Sequence, residues 1–252
     1  VRQPPQKTRD RILATSLALF NARGERNVTT NHIAAELGIS PGNLYYHFRN
    51  KGEIIFALFL RYEDEMARLF DVPTDRGMTW QDKLGYFEAM FRSLWEYRFL
   101  HRDLEQLFAD NPELRARYSG FAARILAQGM DIYRGMIAAG LIEATEEQVR
   151  ALLLNLWVLS TSWTTFLHVT AAHTGDESLL GESALRYGIY QLVCLEEAYV
   201  RGEALAHLAE IKARYRSSGA SGPLERIAAL LDESAVPRNR VANQSAIRSS
   251  SQ

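Results

Sequence analysis

GISPGNLYYHFRNK, residues 38–51, puts a proline, a glycine and two adjacent tyrosines into a segment with room for only about two turns of helix. Its opening reads as a helix start. Ser40 is a natural N-cap, and Pro41 fits the first helical position, where its missing N–H is no loss. At the helical repeat, Leu44 and Phe48 fall together and point inward, while Gly42, Asn43 and Tyr46 lie opposite, flanked by Pro41 and Tyr45. Gly42 is about 1 kcal/mol poorer than alanine in a helix interior. A helix this short, made from such residues, is built for its outward surface.

The residues upstream supply its companions. Thr30 to Leu37 predicts a helix with Thr29 and Thr30 as capping candidates, Ile33, Ala34 and Leu37 on its buried side, and Gly38 as its stop. Before it, Thr8 to Arg23 carries Ile12, Leu13, Leu17 and Phe20 on one face and ends at Gly24. Two short helices joined by Gly38-Ile39-Ser40 make a helix-turn-helix, whose second member enters the DNA major groove. In that setting Asn43 suits adenine, Tyr45 and Tyr46 offer ring edges to thymine methyls and hydroxyls to phosphate, and bare Gly42 permits close approach. Thr29, Thr30 and Asn31 at a helix N-terminus, with His47, Arg49 and Lys51, suit phosphate anchoring. The alternative is a surface helix that caps a core, with Tyr45 and His47 mainly structural.

Charge distribution favours the DNA-facing reading. The whole chain is formally −1, yet residues 1–52 hold eight Lys/Arg against three acids, and the remainder holds 21 against 27. A basic head on an acidic body turns the head toward phosphate.

At 252 residues, 47% hydrophobic and 23% charged, the chain has the composition of a globular protein. The single cysteine, Cys194, sits among apolar residues and fits a reducing compartment. VRQPPQKTRDR at residues 1–11 lacks the apolar core of a secretory signal, so a cytoplasmic location is expected. Residues 151–175 carry no Lys, Arg, Asp or Glu, but are interrupted by Asn155, Ser160, Ser162, His168 and several threonines. A helix buried on most of its circumference is expected there, and no membrane partner.

Helical periodicity continues throughout, so the fold is expected to be all-α. A fourth helix follows Asn50, with Glu53 as capping-box partner and Ile55, Leu58, Phe59, Tyr62, Met66 and Leu69 in register. After a break at 71–77, helices are expected at about 79–100, 102–109, 112–139, 145–172 and 181–216, then a linker, one short amphipathic helix and a polar tail. The units are a head at 1–52, a helical body at 53–216 and a tail at 217–252.

TRDRILATSLALFNARG followed by VTTNHIAAELGISPGNLYYHFRNKGEII resembles the N-terminal domain of the TetR/AcrR family of transcriptional regulators. The resemblance implies a three-helix DNA-binding head on a larger ligand-binding and dimerisation body. It also implies DNA-reading positions at Thr30, Pro41, Gly42, Asn43, Tyr45 and Tyr46, and phosphate contacts from His47 and Lys51.

Such heads work as two-fold pairs on DNA, so a homodimer is expected. Leu152, Leu153, Leu156, Trp157, Val158, Trp163 and Phe166 cover several faces of one helix, more than a single core contact buries. With the helix bearing Leu185, Tyr187, Ile189, Tyr190, Leu192, Val193 and Tyr199, it is expected to form an intersubunit four-helix bundle, as the family implies. Trp95, Phe99, Phe121, Ile125, Gln128, Asn155 and Ser162 are the expected lining of a cavity for a hydrophobic small molecule. Its binding would shift the fourth helix and change the spacing of the two heads. No G-x-S-x-G, glycine-rich phosphate loop or H-E-x-x-H occurs, and the six histidines are scattered, so no catalytic residue, metal or cofactor is expected. Within these limits the reading is a ligand-released repressor; an activator, and a helical small-molecule-binding protein or enzyme whose head only packs, are the alternatives.

Overall fold

Gly38 makes the turn on which the head is built. Its backbone enters the left-handed region (φ 66°), ending Thr30–Leu37 (α2), and the Ile39 N–H returns to the Ala34 carbonyl at 3.0 Å. Ser40 Oγ then accepts from the Asn43 N–H at 3.2 Å and opens Pro41–His47 (α3). Thr8–Arg23 (α1) packs against α2. The computed structural model describes residues 8–175 and 177–216, without the side chains of 174, 178, 182 and 183; residues 1–7 and the expected linker, short helix and tail at 217–252 lie outside the described residues.

The rest of the described chain is also helical: Lys51–Leu69 (α4), Trp80–Glu96 (α5), Arg98–Arg102 (α6), Leu104–Asp110 (α7), Pro112–Ala138 (α8), Glu146–Thr174 (α9), Glu182–Glu196 (α10) and Gly202–Tyr215 (α11). No strand occurs among the described residues beyond an isolated bridge between Ile142 and Val200. Asn50 caps α4 by accepting from the Glu53 N–H at 2.9 Å. The expected reciprocal bond differs by one residue, because the Glu53 carboxylate accepts from the Arg49 N–H.

Two helix spans differ from expectation. The segment expected at 79–100 breaks at Tyr97, where Asn21 of α1 serves both sides: its amide donates to the Glu96 carbonyl and its oxygen accepts from the Phe99 N–H at 3.1 Å. The segment expected at 181–216 breaks at 197–201. There the Glu143 N–H donates to the Tyr199 carbonyl and the Arg201 N–H to the Leu141 carbonyl, and Gly202 turns with φ 59° into α11. Groups distant in sequence, a side-chain amide at the first break and backbone at the second, replace the helical ladder.

Two apolar clusters fill the interior. One runs from Ile12, Phe20, Ile33, Leu44 and Phe48 in the head through Ile54, Leu58, Phe59 and Tyr62 of α4 to Phe99, Leu107, Phe121 and Ile125. The other gathers Leu84, Phe87 and Phe91 of α5 with Tyr133, Leu156, Trp163, Tyr187, Leu192 and Val200. The head therefore shares its core with the body, and α4 is the common element.

The helix Glu146–His173 is long and apolar enough by composition to cross a membrane. In this fold Leu152, Leu156, Trp163, Leu167 and Ala171 bury one of its sides.

Leu44 is fully buried while Tyr46, two residues away, is 85% exposed. Leu44→Ala is expected to lower stability by about 2–5 kcal/mol and Tyr46→Ala to change it by less than about 0.5 kcal/mol, as read by urea denaturation. Equal losses would show that α3 is held on both faces.

Candidate functional site

The outward side of α3 is open. Pro41, Gly42, Asn43, Tyr45 and Tyr46 are exposed, Tyr46 standing furthest out, while Leu44 and Phe48 face the core. A Cβ added at Gly42 meets nothing nearer than Ser40 Oγ at 3.9 Å, so folding does not require the glycine. Its bareness is a property of the surface. Tyr45 leans toward α2, its hydroxyl 3.0 Å from Thr30 Oγ1. Thr29 caps α2 through Oγ1 to the His32 N–H (3.2 Å), and His32 Nδ1 accepts in return from the Thr29 N–H. Thr29, Asn31 and Ser40 are exposed beside this face, with Thr30 and His47 half-buried. Lys51 is committed elsewhere: Nζ lies 2.6 Å from the carboxylate of buried Glu25 and donates to the Glu25 carbonyl at 3.1 Å. Arg9 sits over the Phe48 ring at 4.8 Å, and Arg26 donates to Gln106. Part of the basic charge read as phosphate-seeking therefore also holds the head together.

Below the head a pocket opens between α4, α5, α8 and α9. Its free volume is small, about 80 Å³, and it is partly open to solvent. Tyr62 and Met66 come from α4, Phe87, Met90 and Leu94 from α5, Ile125 and Ile132 from α8, and Leu153, Leu156, Trp157, Ser160 and Thr161 from α9. Lys83 and Tyr133 also line it.

Its charged group is internally balanced. Lys83 Nζ lies 2.6 Å from Glu196 Oε2, both side chains buried, and the Tyr133 hydroxyl donates to Glu196 Oε1. The ammonium also lies 4.0 Å from the Tyr133 ring centre. Burial pulls the Lys83 pKa down and the Glu196 carboxylate partly restores it; burial, then Glu196, pushes the Tyr133 hydroxyl well up. Tyr62 connects the pocket to the head–body joint, its hydroxyl 3.1 Å from His101 Nε2 on α6. The next residue, Arg102, donates to the Phe20 carbonyl at 2.8 Å at the end of α1. Burial holds the His101 pKa down to about 4.

A model described as "Bacterial regulatory proteins, tetR family" matches residues 12–58, and one described as "Bacterial transcriptional repressor" matches residues 61–208. The chain belongs to the TetR family. This is a family of transcriptional regulators with an N-terminal DNA-binding helix-turn-helix. A solved TetR-family regulator from Marinobacter aquaeolei is 44% identical and superposes with a TM-score of 0.77, covering 84% of this chain and 100% of that one. An HTH-type transcriptional regulator of Staphylococcus aureus is 29% identical over 138 residues, 53% of this chain and 71% of that protein. The SmeT–triclosan complex shares the fold at 21% identity and a TM-score of 0.54, covering 79% of this chain and 94% of that one.

The TetR-family body brings Phe121, Ile125 and Gln128 of the seven expected cavity residues to one cleft between α4 and α8, and places the other four elsewhere. Ile125 lines the pocket. Phe99 and Phe121 are core, Phe99 against Phe20 and Phe121 against Phe59. Trp95 lies at a separate surface cleft beneath Arg98, and Gln128 lines another on α8. Asn155 and Ser162 point outward, because the α9 residues facing the pocket are Leu153, Leu156, Trp157, Ser160 and Thr161, a helical stripe rotated away from both. Lys83, Tyr133 and Ser160 line the pocket although the sequence did not suggest them, and Glu196 pairs with Lys83. A charged residue on the same face as Trp80 and Phe87 was the available signal for Lys83. Nothing local pointed to Glu196 as its partner.

Lys83→Met leaves Glu196 buried without a cation and is expected to lower stability by about 3–5 kcal/mol, whereas adding Glu196→Gln recovers most of that loss. Urea denaturation of both variants checks it. Additive losses would refute the pairing.

Proposed function

We propose that this chain is a homodimeric, non-catalytic cytoplasmic repressor whose α3 reads operator DNA, and that a hydrophobic small molecule in the body pocket releases it. One observation carries the reading: a short helix fixed by Leu44 and Phe48 that turns Gly42, Asn43 and Tyr46 to solvent. Asn43 reads a base, Tyr45 and Tyr46 touch base edges and phosphate, and Thr29, Thr30, Asn31, Ser40, Pro41 and His47 position the backbone. Lys51 acts mainly through Glu25, setting the start of α4.

The release step is supported by the double membership of α4. Its first half packs into the head through Ile54, Ile55 and Leu58, and its second half gives Tyr62 and Met66 to the pocket. A ligand that favours a shifted α4 alters the spacing of paired heads, and by linkage binds free protein better than operator-bound protein. SmeT, a protein of the same fold, is solved with triclosan.

Dimerisation is supported by α9. Leu154, Val158, Phe166 and Val169 are each at least 40% exposed along its outer side, beside Asn155 and Ser162, in a run without a charged residue. A two-fold pairing of this stripe with the partner's buries it. The working units are the head at 1–52 and the body at 53–216.

Selection of bound fragments from random duplex DNA should return two-fold related half-sites, bound about 10³-fold or more over random DNA, with a steep salt dependence for both. On that operator Asn43→Ala should lose about 1–3 kcal/mol and spare random DNA. Gly42→Ala should also weaken the operator while leaving folding stability equal or higher. Equal effects of Asn43→Ala on both DNAs would reduce it to scaffolding. In sedimentation, Val158→Glu should yield monomers, and a dimer that persists would remove α9 from the interface.

A further inference from the structure

The lining of the pocket specifies more than hydrophobicity. Its hydroxyl groups nearly all have hydrogen-bond partners in the protein: Tyr62 with His101, Tyr86 with the Asp71 carbonyl, Tyr133 with Glu196, Thr161 with the Trp157 carbonyl, while the Lys83 ammonium is ion-paired with Glu196. Ser160 is different. Its side chain is buried, it lies on the lining, and Oγ has no hydrogen-bond partner. A buried hydroxyl without a partner is costly, and this one belongs to a residue that borders the pocket. A serine in α9 can usually return its hydrogen bond to the helix, as Thr161 does; Ser160 does not.

Charge narrows the choice. Lys83 is the cation on the lining, and Glu196 already neutralises it at 2.6 Å. A carboxylate entering here either takes Lys83 from Glu196 or stands unpaired, and both leave one buried anion without a cation. An amine adds a second cation to a site with one carboxylate. A neutral hydroxyl or carbonyl disturbs neither.

We propose that the pocket takes a neutral lipophilic molecule whose single polar group, a hydroxyl or carbonyl, hydrogen-bonds Ser160 Oγ, and that it discriminates against carboxylates and amines. This inference rests on the pocket being the effector site and names the chemical class that site accepts. The apolar remainder of the ligand packs among Phe87, Leu94, Ile125, Leu156 and Trp157.

The test is direct binding of four probes of similar length to the full chain at neutral pH: octanol, methyl hexyl ketone, octanoate and octylammonium. Titration calorimetry reads it without DNA. Octanol and the ketone should bind about a hundredfold or more tighter than either charged probe. Ser160→Ala should weaken both neutral probes about tenfold, and Ser160→Thr, which keeps the hydroxyl, should restore them. The thermal midpoint of ligand-free Ser160→Ala should stay level or rise, since the hydroxyl it removes was unpaired. Glu196→Gln, which frees the charge of Lys83, should make octanoate the preferred probe; if that variant does not fold, the Ser160 pair decides alone. Octanoate binding as well as octanol in the native chain, neutral probes indifferent to Ser160→Ala, or no binding of any probe overturns the proposal. Octanol that binds with this selectivity yet leaves the operator complex intact overturns the release mechanism instead, so the two failures are distinguishable.

Discussion

Leu44 and Phe48 hold in place a helix of seven residues that has no means of persisting alone, since helices much shorter than about 12 residues are marginal in water. Everything presented outward from α3 depends on that one-sided attachment. Because the helix is pinned from beneath and capped at its start by Ser40, its other side needs no packing residue, and Gly42, Asn43 and Tyr46 are free to be chosen for what they meet outside. The same attachment joins the head to its support, as Leu44 and Phe48 enter the apolar cluster that contains α4.

That shared cluster makes head and body parts of one packed interior. A two-domain protein with separate cores can transmit a signal only through its linker. Here α4 packs in the head with one end and borders a cavity with the other, while α6 meets α1 through Asn21 and Arg102 and meets α4 through His101 and Tyr62. Tyr62 thus belongs both to the pocket wall and to a chain of contacts that reaches the base of the head through His101 and Arg102.

The head was legible because its determinants are local. Ser40, Asn50 and Gly38 act on residues within one helical turn, and the burial of Leu44 and Phe48 follows from spacing alone. The body was legible only as a set of helices. Its breaks at Tyr97 and at 197–201 are made by Asn21 and by Leu141 and Glu143, whose proximity no periodicity announces. The pocket failed for a related reason. Several sides of α9 are apolar, so its pattern does not say which side turns inward, and the polar residues chosen to mark the cavity, Asn155 and Ser162, mark the exterior instead. Lys51 shows the same limit in the head, since its distant acid partner Glu25 claims it first.

The joint at His101 has one more implication. An imidazole kept uncharged down to about 4 stays a neutral bridge between Tyr62 and α6 across the acidity a living cell meets. Histidine is the residue proteins normally use to sense acid, and here its surroundings have silenced that talent. In the release mechanism proposed above, this joint would answer to occupancy of the cavity and be blind to the proton.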